Sequence, residues 1–481
     1  MKITKKNFFM NNNIDANIDE LLKPVSDVIT SFVFSSFNFF GESIPFIVCW
    51  LLFASLFFTF YFNFLNIRYF KRAINVAFGK YDDVSHPGEI THFQSFTAAM
   101  SGTIGLGNIA GVAVAISLGG PGAMVWMIIT AFFGMTLKFV EVSLGHKYRI
   151  IHEDGTVSGG AMRYLSQGLS DYGFPKFGQF LAIFFAVCCI GGSFGGGNMF
   201  QANQAFQQVV EASGGVNSPL YNKGWIGGSV FALIVGIIIF GGIKSIGRVT
   251  EKLVPLMGII YIISCLIIIL SNFFELHLTL KLIFSSAFSL EATTGGVIGS
   301  MIAGIKRAVF SNESGIGSAP IAYAAAKSDN HLNTGFMSLL SPFVDTIIVC
   351  SMTALVIIIT GVYQNGDGIQ GVELTSRAFE SVFDWFPTIL AIAITLFAIS
   401  TLITWSYYGL RSWTYLFGMS HFSKYSFKFI FLLFTIVGTS MNLGSVINFS
   451  DSMIFAMSIP NIIGLYFLSS GLKKDLKKLG D

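Results

Sequence analysis

Charge is what this sequence has least of: Asp, Glu, Lys and Arg make up 11% of its 481 residues, against 53% hydrophobic. One soluble core of that length cannot hide so much apolar side chain, which makes lipid the expected solvent. The formal net charge of +3 is too small to point to nucleic acid as a partner. Cysteine is sparse as well. Cys49, Cys188, Cys189, Cys265 and Cys350 all lie in apolar stretches, with no CxxC pair and no spaced ladder. Neither a metal site nor a disulfide scaffold follows, and the five read as small packing residues. No HExxH or GxSxG occurs, and the histidines fall mostly in loops or at span ends, which weighs against an intramembrane enzyme. Lys2, Lys5 and Lys6 open the chain, but the apolar stretch after them is broken by Asn and Asp. No removable leader is expected there.

What is present is a succession of long apolar runs. A hydrocarbon core about 30 Å thick needs about 20 apolar residues per helix. Eleven such candidates lie between Ser43 and Ser470, which predicts an all-α integral membrane protein. The basic stretch with Arg68, Lys71, Arg72 and Lys80 is expected to lie on the membrane surface. Lysine and arginine concentrate in alternate connections: after the first span, around Lys147 and Arg149, around Lys244 and Arg248, and in the tail from Lys473 to Lys478. The intervening loops hold only Lys223, Lys281 and Arg377, besides the lysines of the N-terminal tail. This asymmetry predicts an outside N-terminus, a cytoplasmic C-terminus and an outward-facing acidic loop with Asp367, Glu373, Glu380 and Asp384.

Two of the apolar runs are interrupted in the same way. One reads Ser101-Gly102-Thr103-Ile104-Gly105-Leu106-Gly107-Asn108, the other Phe310-Ser311-Asn312-Glu313-Ser314-Gly315-Ile316-Gly317-Ser318-Ala319-Pro320. Glycine weakens a helix interior by about 1 kcal/mol relative to alanine. Unwound backbone is tolerated at membrane depth only where it lines a polar cavity. There, freed carbonyls can hold a cation and a half-helix N-terminus an anionic group. One such segment alone reads more readily as a close helix-packing patch. Two, in the second and seventh spans, divide the core after the first span into two groups of five. Five is odd, so the second group runs inverted, as in inverted-repeat carriers with midplane sites. The segments are then a tail at 1–42, an accessory span and surface helix at 43–90, repeats at 91–272 and 273–470, and a basic tail at 471–481.

Few ionisable residues fall inside the spans, and each is a functional candidate. Lys138 and Glu141 share a helix face and can pair. Lys306 and Arg307 either gate an outer vestibule or snorkel. Glu313 lies in the second break and Asp345 in Pro342-Phe343-Val344-Asp345-Thr346. In the ninth span, Phe397, Ser400, Thr401 and Trp405 follow one another. Adjacent hydroxyls can complete an oxygen shell for a monovalent cation or bond back to their own helix.

At these motifs the chain resembles the alanine or glycine:cation symporters, the sodium:alanine symporter family. The stretches that carry the resemblance are Ser101–Ser117 with Gly119-Gly120-Pro121-Gly122-Ala123, Lys138-Phe139-Val140-Glu141 and Gly197-Asn198-Met199-Phe200-Gln201-Ala202-Asn203. Val309–Pro320, Pro342–Ala354 and Ser400–Gly409 complete it, so that it covers the chain from about Phe39 onward. It implies a leucine-transporter-like 5+5 inverted repeat with one extra N-terminal helix. It also implies sodium as coupling ion and alanine or glycine as substrate, with no other cofactor. By resemblance, sodium would be held by the carbonyls of Ser101, Ile104 and Phe397 and the hydroxyls of Ser400 and Thr401. Backbone amides at Gly105, Leu106, Gly107 and Asn108 would receive the substrate carboxylate. Carbonyls at Phe310, Ser311 and Asn312 would face the ammonium, Trp405 would limit the pocket, and Asn198 and Gln201 would border it. The chain departs from the family at Ile104-Gly105-Leu106, where Val-Gly-Thr is expected.

The expected function is therefore inward symport of a small neutral amino acid with sodium by alternating access, in the inner membrane and in contact with lipid. The alternative keeps the fold and makes protons the coupling ion, with Glu313 or Asp345 titrating.

Overall fold

The computed structural model describes residues 24, 26–39, 42–82, 85–288, 296–364 and 371–479. The lysines expected in the N-terminal tail and Asp367 lie outside these residues. The described chain is mostly helical. Two short antiparallel hairpins were not anticipated: β1 (Ser36–Phe39) with β2 (Glu42–Pro45), and β3 (Ile150–Ile151) with β4 (Val157–Ser158). Both sit outside the long apolar runs, where the alternation is too short to read as a strand.

The helices start and stop where local chemistry demands it. Pro45 precedes α1 (Phe46–Tyr61), and the expected surface segment forms α2 (Phe70–Ala77), which buries Ala73, Val76 and Ala77. Thr91 and Gln94 form a reciprocal cap at the start of α3 (His92–Thr103). A bend of 54° separates α3 from the segment that leads into α4 (Ala110–Gly119). After a Gly-Pro-Gly turn comes α5 (Ala123–Lys147), followed by α6 (Pro175–Phe194) with proline in its first turn. A π-helical turn at Gly195–Met199 joins α6 to α7 (Phe200–Ala212). The first half of the chain ends with α8 (Gly224–Ile239) and α9 (Gly242–Ser271).

Continuing, α10 (Leu276–Phe288) precedes α11 (Gly296–Asn312), which ends at the second break. The four-residue α12 (Pro320–Tyr323) and then α13 (His331–Ser338) follow it. An unusually long π-helical stretch, Phe343–Cys350, runs into α14 (Ser351–Ile359). The acidic loop contains α15 (Val372–Glu380), and α16 (Phe386–Phe417), α17 (His421–Ser440) and α18 (Leu443–Lys478) complete the chain.

Among the described residues, seven helices are long and apolar enough to cross a membrane, and an eighth crossing results if the bent pair α3 and α4 is one span. The remaining three expected spans fall on the shorter helices α1, α8 and α11. The packing surrounds the two breaks: α5 lies against α11 and α13, α16 against α6 and α7, α9 against α3, and α4 against α11. By contrast α8 and α9 turn Leu233, Ile237, Ile259 and Leu270 outward, and these are more than half exposed. Apolar residues over that much surface match a lipid-facing ring.

Candidate functional site

At the first break, the last carbonyls of α3 meet the middle of α16. The Ser400 and Thr401 hydroxyls both donate to the Phe397 carbonyl, at 2.9 and 3.1 Å. Thr401 Oγ1 also lies 3.5 Å from the Ile104 carbonyl, the outer limit of a hydrogen bond. Ser101 contributes its side chain as well: its hydroxyl donates to the Ser400 carbonyl at 2.6 Å and accepts from Thr404 at 3.0 Å. Ser101, Phe397, Ser400 and Thr401 are buried. The cluster consists of neutral oxygens, and hydroxyls that back-bond to their own helix keep lone pairs available for a cation.

One step along the chain, the amides freed by the bend are directed at side-chain oxygens. Gly105 N–H donates to Asn108 Oδ1 and Leu106 N–H to Gln201 Oε1, both at 2.9 Å. Gln201 Nε2 in turn donates to the Gly196 carbonyl at 2.9 Å, in the π-helical turn. Gly105 is required by close approach: a Cβ there would lie 2.5 Å from Thr401 Oγ1 and 2.8 Å from Gln201 Oε1. Asn198 is placed differently from the expectation. Its amide nitrogen donates to the Phe431 carbonyl of α17 at 2.6 Å, and its amide oxygen is buried without a hydrogen-bond partner among the described residues.

The second break is charged. Glu313 takes a left-handed conformation, as do Gly315 and Gly317, which ends α11 and lets α12 restart at Pro320. Trp405 Nε1 donates to Glu313 Oε1 and to the Gly102 carbonyl, both at 3.1 Å, so the indole bridges the two breaks. Ser318 donates to the other Glu313 oxygen. Asn312 Nδ2 donates to Thr346 Oγ1 at 3.1 Å. Phe310 packs edge-on against Phe200 with ring centroids 5.2 Å apart.

A second bridge is Asp345. Its carboxylate accepts from Asn108 Nδ2 at 2.7 Å, from Ser311 Oγ at 2.8 Å and from Thr346 Oγ1 at 2.7 Å. A single buried carboxylate therefore holds one residue of each break. The sequence places Glu313 in the second break, but it does not show that Asp345 reaches both breaks. The π-helical stretch that aims Asp345 at Asn108 has no signature in composition.

Charged groups close both ends of this region. On one side Arg307 pairs with Asp451 of α18, with Lys306 3.9 Å away, and the Arg307 guanidinium lies 5.0 Å from the centre of the Phe310 ring. On the other side Arg149 donates to the carbonyls of Pro87, Ala324, Ala326 and Ser328 at 2.6–2.8 Å, and Arg411 lies 3.4 Å from Glu89. Burial lowers the Arg149 guanidinium to about 10, which leaves it charged at neutral pH. Lys138 and Glu141 are 4.0 Å apart, a looser pair than expected, because the ammonium donates to the Glu313 carbonyl instead, at 2.8 Å. Among the described residues no group of three or more His, Cys, Asp or Glu side chains could hold a metal ion.

The solved structure of MhsT in complex with L-phenylalanine superposes with a TM-score of 0.58, covering 78% of this chain and 89% of that one, at 15% sequence identity. That likeness shows a leucine-transporter-like fold. The sodium/alanine symporter AgcS of Methanococcus maripaludis is 40% identical over 440 residues, 91% of this chain and 94% of the relative. Two Bacillus subtilis proteins are also similar. YrbD, a putative sodium/proton-dependent alanine carrier, is 34% identical over 85% of this chain and 84% of its own length. GlnT, a probable sodium/glutamine symporter, is 32% identical over 89% and 86%. The model of the sodium:alanine symporter family matches residues 26–480. This multi-pass membrane transporter, which is not an enzyme, belongs to the sodium:alanine symporter family.

Proposed function

We propose that the protein carries a small neutral amino acid, alanine or glycine, into the cell together with sodium by alternating access. The observation that carries this reading is the meeting of the Ile104 and Phe397 carbonyls with the Ser400 and Thr401 hydroxyls, next to the freed amides of Gly105 and Leu106. Sodium takes the neutral oxygen cluster. The substrate carboxylate takes the amides in place of the Asn108 and Gln201 side-chain oxygens, and the ammonium turns toward the carbonyls at the end of α11. Trp405 bounds the space between the breaks and favours a short side chain over the longer one in GlnT's name. Each ligand must change the balance between inward- and outward-facing states for the two fluxes to couple. The membrane potential adds about 2.3 kcal/mol per charge per 100 mV to inward movement of the loaded form. An inverted five-plus-five repeat and a cytoplasmic C-terminus complete the proposal.

The test is uptake of radiolabelled alanine into proteoliposomes under a sodium gradient, with glycine, both alanine enantiomers, serine and glutamine as competitors. Uptake that requires sodium and is blocked by glycine or alanine supports the reading. Equal uptake in choline, or uptake driven by a pH gradient without sodium, overturns the choice of ion in favour of protons on Glu313 or Asp345.

A further inference from the structure

The two breaks are not satisfied alike, and the difference lies on α5. Gly134, Lys138, Glu141 and Gly145 recur at helical spacing and form one stripe along that helix. The whole stripe faces the second break. A Cβ on Gly134 would lie 3.0 Å from the Ser314 side chain, and one on Gly145 would lie 2.5 Å from Pro320 Cβ. Between them Lys138 Nζ donates to the Glu313 carbonyl at 2.8 Å. Glu141 Oε1 accepts from Asn461 Nδ2 at 2.6 Å, and that same nitrogen donates to the Gly315 carbonyl at 2.9 Å. Both Lys138 and Glu141 side chains have no exposure to solvent.

A buried ammonium is costly unless its charge is met. Glu141, 4.0 Å away, answers it only in part. The direct contact is with backbone oxygen at the carbonyl end of α11, where the helix dipole is negative and cations are favoured. The first break has the same need and, among the described residues, no ammonium or guanidinium hydrogen-bonded to its carbonyl end. Its Ile104 carbonyl meets only the Thr401 hydroxyl, at 3.5 Å. We infer that Lys138 is the resident cation of the second break, a positioning residue that holds the carbonyl end of α11 so that only the first break exchanges a diffusible ion. One sodium then accompanies each amino acid, and a zwitterionic substrate moves with one net positive charge. This rests on the sodium-coupled reading above.

The experiment is a reversal-potential measurement of the sodium-to-alanine ratio in proteoliposomes, with the Hill coefficient for sodium from uptake rates. The wild type is expected to give a ratio of one and a Hill coefficient near one. Lys138→Arg keeps a cation at the break and retains sodium-dependent uptake. Lys138→Met combined with Glu141→Gln removes the cation together with its nearest counter-charge. It is expected to elute as a folded monodisperse protein, and either to lose uptake at least tenfold or to raise the Hill coefficient toward two. If Lys138 served only to balance Glu141, the double variant would transport at the wild-type rate and ratio, which would overturn the inference. A wild-type ratio of two would overturn it without any variant, and decides the matter should the double variant not fold. Absence of sodium-driven uptake by the wild type strikes the proposed function instead.

Discussion

The carbonyl end of the half-helix ending at Thr103 meets a neutral hydroxyl and the one ending at Asn312 meets an ammonium, while the Trp405 indole and the Asp345 carboxylate touch both breaks. Both breaks leave backbone groups without helical partners, which is expensive away from water. Neutral hydroxyls that already bond to their own helix give way readily to an incoming ion. A tethered ammonium does not leave. On the proposed reading the first break is the exchange site and the second a fixed scaffold. Trp405 and Asp345 link the two through hydrogen bonds at both ends.

The largest expected effect comes from weakening the link between the breaks. Asp345→Asn puts an amide where a carboxylate accepts from Asn108 and Ser311, and hydrogen bonds to a charged group contribute about 1.5–3 kcal/mol each. Alanine uptake is expected to fall by about 100-fold or more, with the protein still folded by size-exclusion chromatography; near-normal uptake would show that the breaks do not communicate through Asp345. Next is Gly105→Ala, whose new methyl collides with Thr401 and Gln201. Overpacking costs about 1–3 kcal/mol, so uptake drops roughly 5- to 140-fold, with both sodium and alanine half-saturation raised.

Smaller effects separate the two breaks from each other. Thr401→Ala deletes one oxygen of the neutral cluster, and loss of about 1.5 kcal/mol raises the sodium half-saturation roughly tenfold. In Glu313→Gln the acceptor for Trp405 and the partner for Ser318 are preserved while the charge is removed. Sodium half-saturation is expected to stay within about twofold, since the altered hydrogen bonds lie at the scaffold break and not among the neutral oxygens around Thr401. A large shift in sodium dependence there, or new dependence on a pH gradient, would erase the distinction between the breaks.

The breaks themselves were legible because glycine, left-handed backbone and proline leave a local signature, as at Gly315, Gly317 and Pro320. The adjacent hydroxyls of Ser400 and Thr401 were visible on one helix, but joining them to Ser101, Ile104 and Phe397 as an oxygen cluster came from the family resemblance. Asn198 illustrates the limit. It stands three residues before Gln201, yet the π-helical turn sends it to Phe431 while Gln201 reaches Leu106. One inserted residue in a helical turn redirects everything before it, and hydropathy does not register that insertion.

By itself the sequence determined the solvent and the two interruptions, because these depend on neighbours a few residues apart. Tertiary structure alone decided which charge answers which break. Lys138 and Glu141 are spaced to pair on a helix, and an isolated helix would pair them. In the folded protein the carbonyl end of α11 comes within 2.8 Å of the ammonium, across a separation of 175 residues. Asp345 reaches Asn108 across 237. Electrostatic partners in a low-dielectric interior are chosen by distance in space, and that distance is set by how α5, α11 and the Phe343–Cys350 turn pack together.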